Sequence, residues 1–154
     1  FSKHYFTSSI EVLKTLETEK IENHIISASG DLFVDASAPS LGLPVERFNG
    51  IRLKIEDGHI TERIDYPVTW AAGKTQQLQE IVARLQRQNP EKEVVVLAAF
   101  GNSYGTDGHF MRYVATQKLK HGSPTALMIN GGEAPEAFQG LFTPVEQKET
   151  KSDK

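Results

Sequence analysis

The hydrophobic residues of the chain alternate between short continuous runs and segments with helical spacing. The longest apolar run begins after Glu93, ends at Phe100 and is rich in β-branched residues. Such a run predicts a strand buried on both faces, as in a parallel sheet. Shorter runs over His24–Ser29 and Pro124–Asn130 predict two further strands. Because helical patterns separate the three runs, we expect an α/β fold with a doubly wound, mainly parallel sheet.

Four segments carry apolar residues at helical spacing, with charged residues between them. Ser8 and Glu11 form a capping-box pattern at the start of the first segment. Pro39 should end the second, because proline disfavours helix in the residue before it. The predicted helices span about Ser9–Glu19, Asp31 to near Ala38, Thr75 to about Gln88, and a segment that starts at or near Asp107.

An alternation of period two interrupts this order between residues 50 and 64. Gly50–Glu56 and His59–Ile64 flank Asp57-Gly58, a dipeptide that strongly favours a two-residue hairpin turn. The segment is therefore predicted to be an antiparallel β-hairpin that leaves the edge of the sheet. His59 is expected to be an exposed hairpin residue rather than a ligand.

The last part of the chain contains shorter predicted elements. Glu133–Phe138 is expected to form one helical turn, and Leu141–Val145 a short strand or docked segment. Gln147–Lys154 contains no apolar residue, which predicts a disordered polar tail. Residues 1–146 are expected to form one domain.

Composition limits the classes of function. The chain has 154 residues, of which 38% are apolar and 24% charged, which is ordinary for a globular domain. A net charge of −3 without a basic cluster argues against a nucleic-acid surface, and no apolar run is long enough to cross a bilayer. The absence of cysteine excludes disulfides and thiolate metal sites. It leaves the compartment undecided, with the cytoplasm slightly favoured over the periplasm.

Polar side chains follow the ends of two predicted strands. Ser27 and Ser29 lie before the amides that follow Gly30, and Asn102 and Asp107 come after the longest strand. In an open α/β sheet, ligands bind beyond the carboxyl ends of the strands, and helix N-termini attract anions. These residues are therefore candidates for chemistry. The alternative is that they are ordinary turn residues and that Asp107 caps a helix.

Lys74 is expected at the N-terminal end of the third helix. A cation there opposes the helix dipole, at a cost of a few tenths of a kcal/mol. Residues placed against local preference are expected where function requires them. The alternative is a solvated surface lysine.

The order of these segments resembles the haloacid dehalogenase (HAD) superfamily, and most of all its branch of phosphoserine and phosphocholine phosphatases. The resemblance covers roughly Ile21 to Asn130, and it rests on an ordered set of motifs rather than on any single one. The matching segments are Ile25–Ser29, Leu41–Pro44, Phe48–Leu53, Asp57-Gly58, Gly73-Lys74, Ala99–Ser103 and Asp107.

The resemblance implies roles on the substrate side of a phosphatase site. Ser27 matches the family's second motif, a hydroxyl that hydrogen-bonds the transferring phosphoryl group. Lys74 matches the third motif, a lysine that balances the negative charge of nucleophile and phosphate. Ser29 and Gly30 are expected to add hydrogen-bond donors. Phosphoryl transfer depends mainly on such positioned donors and cations.

The resemblance also implies a bound Mg²⁺. Asn102 and Asp107 fall on the positions of the fourth motif that help to hold this ion, which prefers oxygen ligands. The family usually has an acid where this chain has Asn102. An amide oxygen can still bind Mg²⁺ but adds no negative charge, so a lower affinity is expected.

The family's first motif, an Asp-x-Asp-x-Thr/Val sequence that provides nucleophile and general acid, is absent from this sequence. Asp31 and Asp35 are better explained as a helix-start cap and a solvated surface charge. The chain also begins with Phe1 rather than Met. We therefore expect it to be the C-terminal part of a longer protein, with the nucleophile strand and any cap domain in an N-terminal portion that acts as a companion.

The function expected from the sequence is Mg²⁺-dependent hydrolysis of phosphomonoesters through an aspartyl-phosphate, formed on an aspartate outside this chain. The chain alone is expected to be inactive, and its substrate is expected to be a small phosphorylated molecule. The main alternative is a non-catalytic HAD-like module that binds a phosphorylated ligand or a protein. A third alternative is a structural α/β domain whose loops only look like motifs.

Overall fold

The computed structural model describes residues 5–148, which fall into two compact units. One contains residues 5–66 with Lys148, and the other contains Pro67–Gln147. Each unit holds a three-stranded sheet together with helices, so the fold class is mixed α/β, as expected. The described strands form two small sheets, however, and not the single sheet that the sequence predicted.

The first unit is built on a mixed sheet. Its elements are α1 (Thr7–Thr18), β1 (Ile25–Gly30), α2 (Asp31–Asp35), α3 (Ala38–Leu41), a 3-10 turn (Val45–Arg47), β2 (Phe48–Glu56) and β3 (His59–Asp65). The strand order is β1-β2-β3; β1 is parallel to the first half of β2, and β3 is antiparallel to β2. A small core of Val34, Ala38, Leu43 and Phe48 is buried here.

The predicted hairpin of β2 and β3 is confirmed. The turn residues Asp57-Gly58 have positive φ angles of 49° and 77°, as a two-residue turn of this type requires. His59 is exposed, as expected, and its Nδ1 lies 2.9 Å from the Asp57 carbonyl oxygen. The aliphatic residues of the hairpin lie opposite each other in two exposed pairs, Leu53 with Ile64 and Ile55 with Ile60.

Helix α1 begins earlier than predicted and is held by polar contacts. It starts at Thr7 with Phe6 at the N-cap, so the predicted capping box with Ser8 as cap is wrong. No residue of α1 is fully buried. Instead, both carboxylate oxygens of Glu17 accept hydrogen bonds of 2.8 Å from Arg47, and Oε1 also accepts one of 2.7 Å from the Asn23 side chain. The Glu17 carboxylate thus links the helix to the 3-10 turn before β2.

Proline shapes the segment after β1, but differently from the prediction. Helix α2 ends at Asp35, three residues before the predicted end at Ala38. Pro39 then lies in the first turn of the short helix α3, where its missing N–H has no partner to lose. Gly42 ends α3 with a φ of 66°.

The second unit is built on a parallel sheet. Its elements are α4 (Ala72–Gln88), β4 (Ala98–Gly101), α5 (Tyr104–Ala115), β5 (Thr125–Ile129), a 3-10 turn (Glu136–Phe138) and β6 (Thr143–Val145). The strand order is β4-β5-β6, with all neighbours parallel. Met111 and Val114 of α5 and Met128 of β5 are almost fully buried and form the centre of this unit's core. The predicted helical turn and the short last strand are both present.

The longest apolar run of the sequence does not form a strand buried on both faces. β4 covers only residues 98–101, and it lies at an edge of its sheet with β5 as its one neighbour among the described strands. Val95, Leu97 and Phe100 are 40–45% exposed. The prediction assumed a central strand, whereas an edge strand has a partner on one side only.

The C-terminal end of the described chain is anchored to β5. The backbone N–H of Gln147, the first residue of the predicted disordered tail, donates to the Asn130 side-chain oxygen at 2.8 Å. The rest of that predicted tail, residues 149–154, lies outside the described residues. Among the described helices, none is long and apolar enough to span a membrane.

The first unit should be less stable in acid, where the Glu17 carboxylate becomes protonated. Burial raises the pKa of Glu17, but hydrogen bonds from Asn23 and Arg47 outweigh it and leave the pKa below the usual 4.5. A lowered pKa stabilises the fold above the unfolded-state pKa, and this contribution disappears as pH falls through the folded-state value. We expect Glu17→Gln to cost about 0.5–1 kcal/mol at pH 7, by urea unfolding, and the cost should shrink as pH falls through the folded-state pKa.

The matched control is Glu56→Gln, which removes the carboxylate of an exposed ion pair between Glu56 and Arg63 at 2.7 Å. Exposed pairs contribute little, so this variant should leave the unfolding midpoint nearly unchanged. Equal effects of the two substitutions at pH 7 would contradict the role given to Glu17.

Candidate functional site

The second unit contains a buried ion pair. Lys74 Nζ lies 2.6 Å from Asp107 Oδ1, and the two side chains are only 7% and 6% exposed. Helix α4 begins at Ala72, three residues earlier than predicted, and this places Lys74 in its first turn. Lys74 is therefore not the solvated surface lysine of the alternative interpretation. A buried pair of charges is costly to remove from water and is held only by close contacts.

Asp107 is the centre of a hydrogen-bond cluster. Its Oδ2 accepts from the backbone N–H groups of Asn102 at 2.9 Å and Ser103 at 3.1 Å. Its Oδ1 accepts from Lys74 and, at 3.3 Å, from the Thr106 hydroxyl. A carboxylate has about four lone-pair sites, and all are used here.

The local sequence explains why Asp107 reaches the loop after β4. Ser103, and not Asp107, is the N-cap of α5, and its hydroxyl accepts the Thr106 N–H at 3.4 Å. Asp107 follows in the first turn, where the helix dipole favours a negative charge. Gly101 is required because a side chain there would overlap Met111 and the Asp107 side chain. The carboxylate can therefore lie directly against the loop backbone.

The Lys74 ammonium group also lies against the ring of Phe110. Nζ lies 5.8 Å from the ring centroid, a distance at which the negative face of the ring attracts a cation. Phe110 and Thr106 are parts of the cluster that the sequence did not suggest. A Ser-x-x-Thr spacing at the helix start was the available signal for Thr106, whereas nothing in the spacing pointed to Phe110.

The other predicted site residues lie in the first unit, at the end of β1. Ser27 Oγ accepts the backbone N–H of Ser29 at 3.2 Å, a local contact within β1. Gly30 is the N-cap of α2, and Ser29 is exposed. The structure thus brings together Lys74, Asp107 and the Asn102 backbone in the second unit. Ser27, Ser29 and Gly30 lie together at the end of β1 in the first unit.

The described residues do not by themselves fit a magnesium site. Asn102 has an exposed side chain, and every lone-pair site of Asp107 already has a donor. Within residues 5–148, no three acidic or histidine side chains lie close enough to hold a metal ion together. A metal ion that used Asp107 would have to displace Lys74 or one of the other donors.

Asp35 is not the solvated surface charge that the sequence suggested. Its Oδ1 is buried and has no hydrogen-bond partner among residues 5–148. Burial, together with the nearby charge of Asp31, raises the pKa of Asp35, and Arg52 opposes the shift. Asp31 itself lies in the first turn of α2, accepts the Leu32 N–H at 2.9 Å and lies 3.3 Å from the Arg52 guanidinium.

Comparisons with known proteins address the fold alone. No protein-family model and no curated protein matches the sequence. The structure is similar to that of a conserved functionally unknown protein from Anaerococcus prevotii DSM 20548, with a TM-score of 0.61 and 21% sequence identity. The match covers 82% of this chain but only 31% of that chain. The similarity supports an α/β fold, and this chain spans about a third of that protein's length.

Breaking the buried pair should have unequal effects on its two sides. Asp107→Asn leaves a buried ammonium group with no carboxylate, so we expect a loss of about 3–5 kcal/mol in unfolding free energy. Lys74→Met leaves Asp107 with its two backbone donors and the Thr106 hydroxyl, so its cost should be clearly smaller. Glu93→Gln, in the exposed pair with Lys120, is the control and should change nothing measurable in urea unfolding.

Asp35→Asn should stabilise the protein at neutral pH, by less than about 1 kcal/mol. A raised pKa means that ionising Asp35 costs stability as pH rises above the usual value of 3.8 and through the folded-state value. The variant should therefore match the unsubstituted protein in acid and exceed it at pH 7. Asp65→Asn, on exposed β3, is the control, and the same difference for both variants would contradict this explanation.

Proposed function

We propose that this chain is part of a HAD-type phosphatase, a hydrolase of phosphomonoesters. The observation that carries the proposal is the buried Lys74–Asp107 pair beside the loop that ends β4. Charged groups are rarely fully buried unless they are paired, and such pairs often add little net stability. A buried ammonium group at the carboxyl end of a parallel strand suits a site that handles anions.

The chain's own residues would act on the phosphate group. The Lys74 ammonium group would offset the negative charge that gathers on the phosphoryl oxygens. In the first unit, the candidate groups for hydrogen-bonding a phosphate are the Ser27 hydroxyl and donors from Ser29 and Gly30. Asp107 would hold Lys74 and, through the amides of residues 102 and 103, shape the loop after β4.

The nucleophile in this proposal is an aspartate outside the chain, in an N-terminal portion of the same protein that acts as companion. Among the described strands β4 pairs with β5 alone, and Leu97 and Phe100 are exposed. This supports the companion part of the proposal, because an added strand would pair with the other edge of β4. The aspartate would displace the alcohol from the phosphoryl group and form the aspartyl-phosphate. Water would then displace the aspartate and release phosphate. The chain alone would be inactive.

Magnesium is part of the proposal as a cofactor, with Asn102 and Asp107 as the candidate oxygen ligands from this chain. When bound, the ion would offset phosphate charge. Because the lone pairs of Asp107 are all in use, we expect most ligands of the magnesium ion to come from the companion portion. No step of the reaction above depends on residues of this chain binding the metal directly.

The second candidate is a non-catalytic module that binds a phosphorylated ligand or a protein. The full use of the Asp107 oxygens favours it, because a carboxylate engaged only in internal contacts acts as a structural group. Magnesium titration distinguishes the two candidates. A catalytic assembly should bind Mg²⁺ and be stabilised by fluoroberyllate, which mimics a phosphoryl group on an aspartate, whereas a binding module should respond to neither.

The test is hydrolysis of a small phosphomonoester by the chain combined with the N-terminal portion of its protein. We expect turnover in the combined sample and none with this chain alone. Lys74→Ala should lower kcat by about 100-fold or more, as removal of a charge-stabilising group does. Lys118→Ala, at an exposed lysine outside the site, should leave kcat unchanged. Full turnover of Lys74→Ala would remove Lys74 from the mechanism.

A further inference from the structure

The segment before Lys74 is wound into two consecutive tight turns. The Trp70 N–H donates to the Val68 carbonyl at 2.7 Å, and the Gly73 N–H donates to the Trp70 carbonyl at 2.9 Å. A Cβ at position 73 would overlap the Val68 carbonyl oxygen, so only glycine fits there. Thr69, the central residue of the first turn, is completely buried. The two turns and the close approach at Gly73 therefore restrict the backbone conformation just before helix α4.

Ala71 has a strained backbone within the second turn. Its φ of 47° and ψ of −118° correspond to the first central position of a type II′ turn. Glycine is the residue that normally occupies this position, because the Cβ of any other residue is crowded there. Three other non-glycine residues in the described chain have positive φ, but Ala71 is the one next to a buried charge.

The strained residue Ala71 is linked to Lys74 by a backbone hydrogen bond. The Lys74 N–H donates to the Ala71 carbonyl at 3.1 Å, so opening the turn would move the first turn of α4. Burial and the positive end of the helix dipole both act against an ammonium group at this position. Asp107 and the Phe110 ring hold it there against both effects and against the strain of Ala71.

We propose that Ala71 is a positioning residue: the strain in its backbone weakens the hold of Asp107 on the Lys74 ammonium group, and so lets that group move to an anionic phosphate ligand. The functional half of this inference rests on the phosphatase or phospholigand role proposed above. The structural half does not. Strain is released when the turn opens, and this lowers the cost of moving Lys74 away from Asp107.

The test replaces Ala71 by glycine in the full chain and measures how fast the Lys74 amine is acylated by an N-hydroxysuccinimide ester, with peptide mass spectrometry as readout. Glycine accepts this conformation without strain, so the turn should open less often. We expect acylation of Lys74 to slow by about fivefold relative to exposed Lys14 in the same sample, the factor that roughly 1 kcal/mol of relieved strain gives. Hydrogen exchange of the Gly73 and Lys74 amides should slow as well.

The matched control is Ala72→Gly, which removes the same methyl group one residue later, inside α4. Glycine weakens a helix, so this variant should acylate Lys74 at the original rate or faster. An unchanged or faster rate in Ala71→Gly, or equal slowing in both variants, would overturn the proposal. In the combined sample with the N-terminal portion, Ala71→Gly should lower kcat, and full turnover would overturn the functional half.

The two proposals fail in different ways. An inactive combined sample removes the phosphatase function but leaves the acylation result intact, because that measurement needs neither substrate nor companion. Unchanged acylation in Ala71→Gly removes the positioning role of Ala71, whether or not the combined sample hydrolyses phosphate.

Discussion

The contact between Lys74 and Asp107 is the interaction around which the second unit is arranged. Two charges less than a tenth exposed can persist only if each satisfies the other and the remaining lone pairs find donors. The loop amides, the N-cap at Ser103 and the glycine at 101 all follow from that requirement. Asp107 therefore stabilises both the loop after β4 and the first turn of α4.

Local patterns in the sequence were sufficient to predict most elements but not their environment. The hairpin was found because Asp57-Gly58 allows positive φ at both positions, which is a property of the two residues themselves. The strand after Glu93 was misjudged because burial depends on neighbours, and hydrophobicity alone cannot tell an edge strand from a central one. The division into two three-stranded sheets likewise depends on pairing between distant residues.

The candidate site shows the same limit on a smaller scale. Lys74 could be selected because a lysine at a helix start stands against local preference, and Asp107 because it follows the end of a predicted strand. That they bind each other, 33 residues apart, could not be inferred from either position. The raised pKa of Asp35 could not be inferred for a related reason: burial of a side chain and the charges around it, such as that of Arg52, depend on the folded structure.

Gly73 gives the Gly73-Lys74 pair a double meaning. The glycine answers a steric demand from the Val68 carbonyl, and the lysine answers an electrostatic demand from Asp107. A two-residue motif of this kind therefore carries two independent messages, one about the path of the backbone and one about charge. A chain that keeps the glycine and loses the lysine would preserve the turn but lose the buried ion pair. The two residues should therefore be weighed separately wherever the pair is used to recognise relatives.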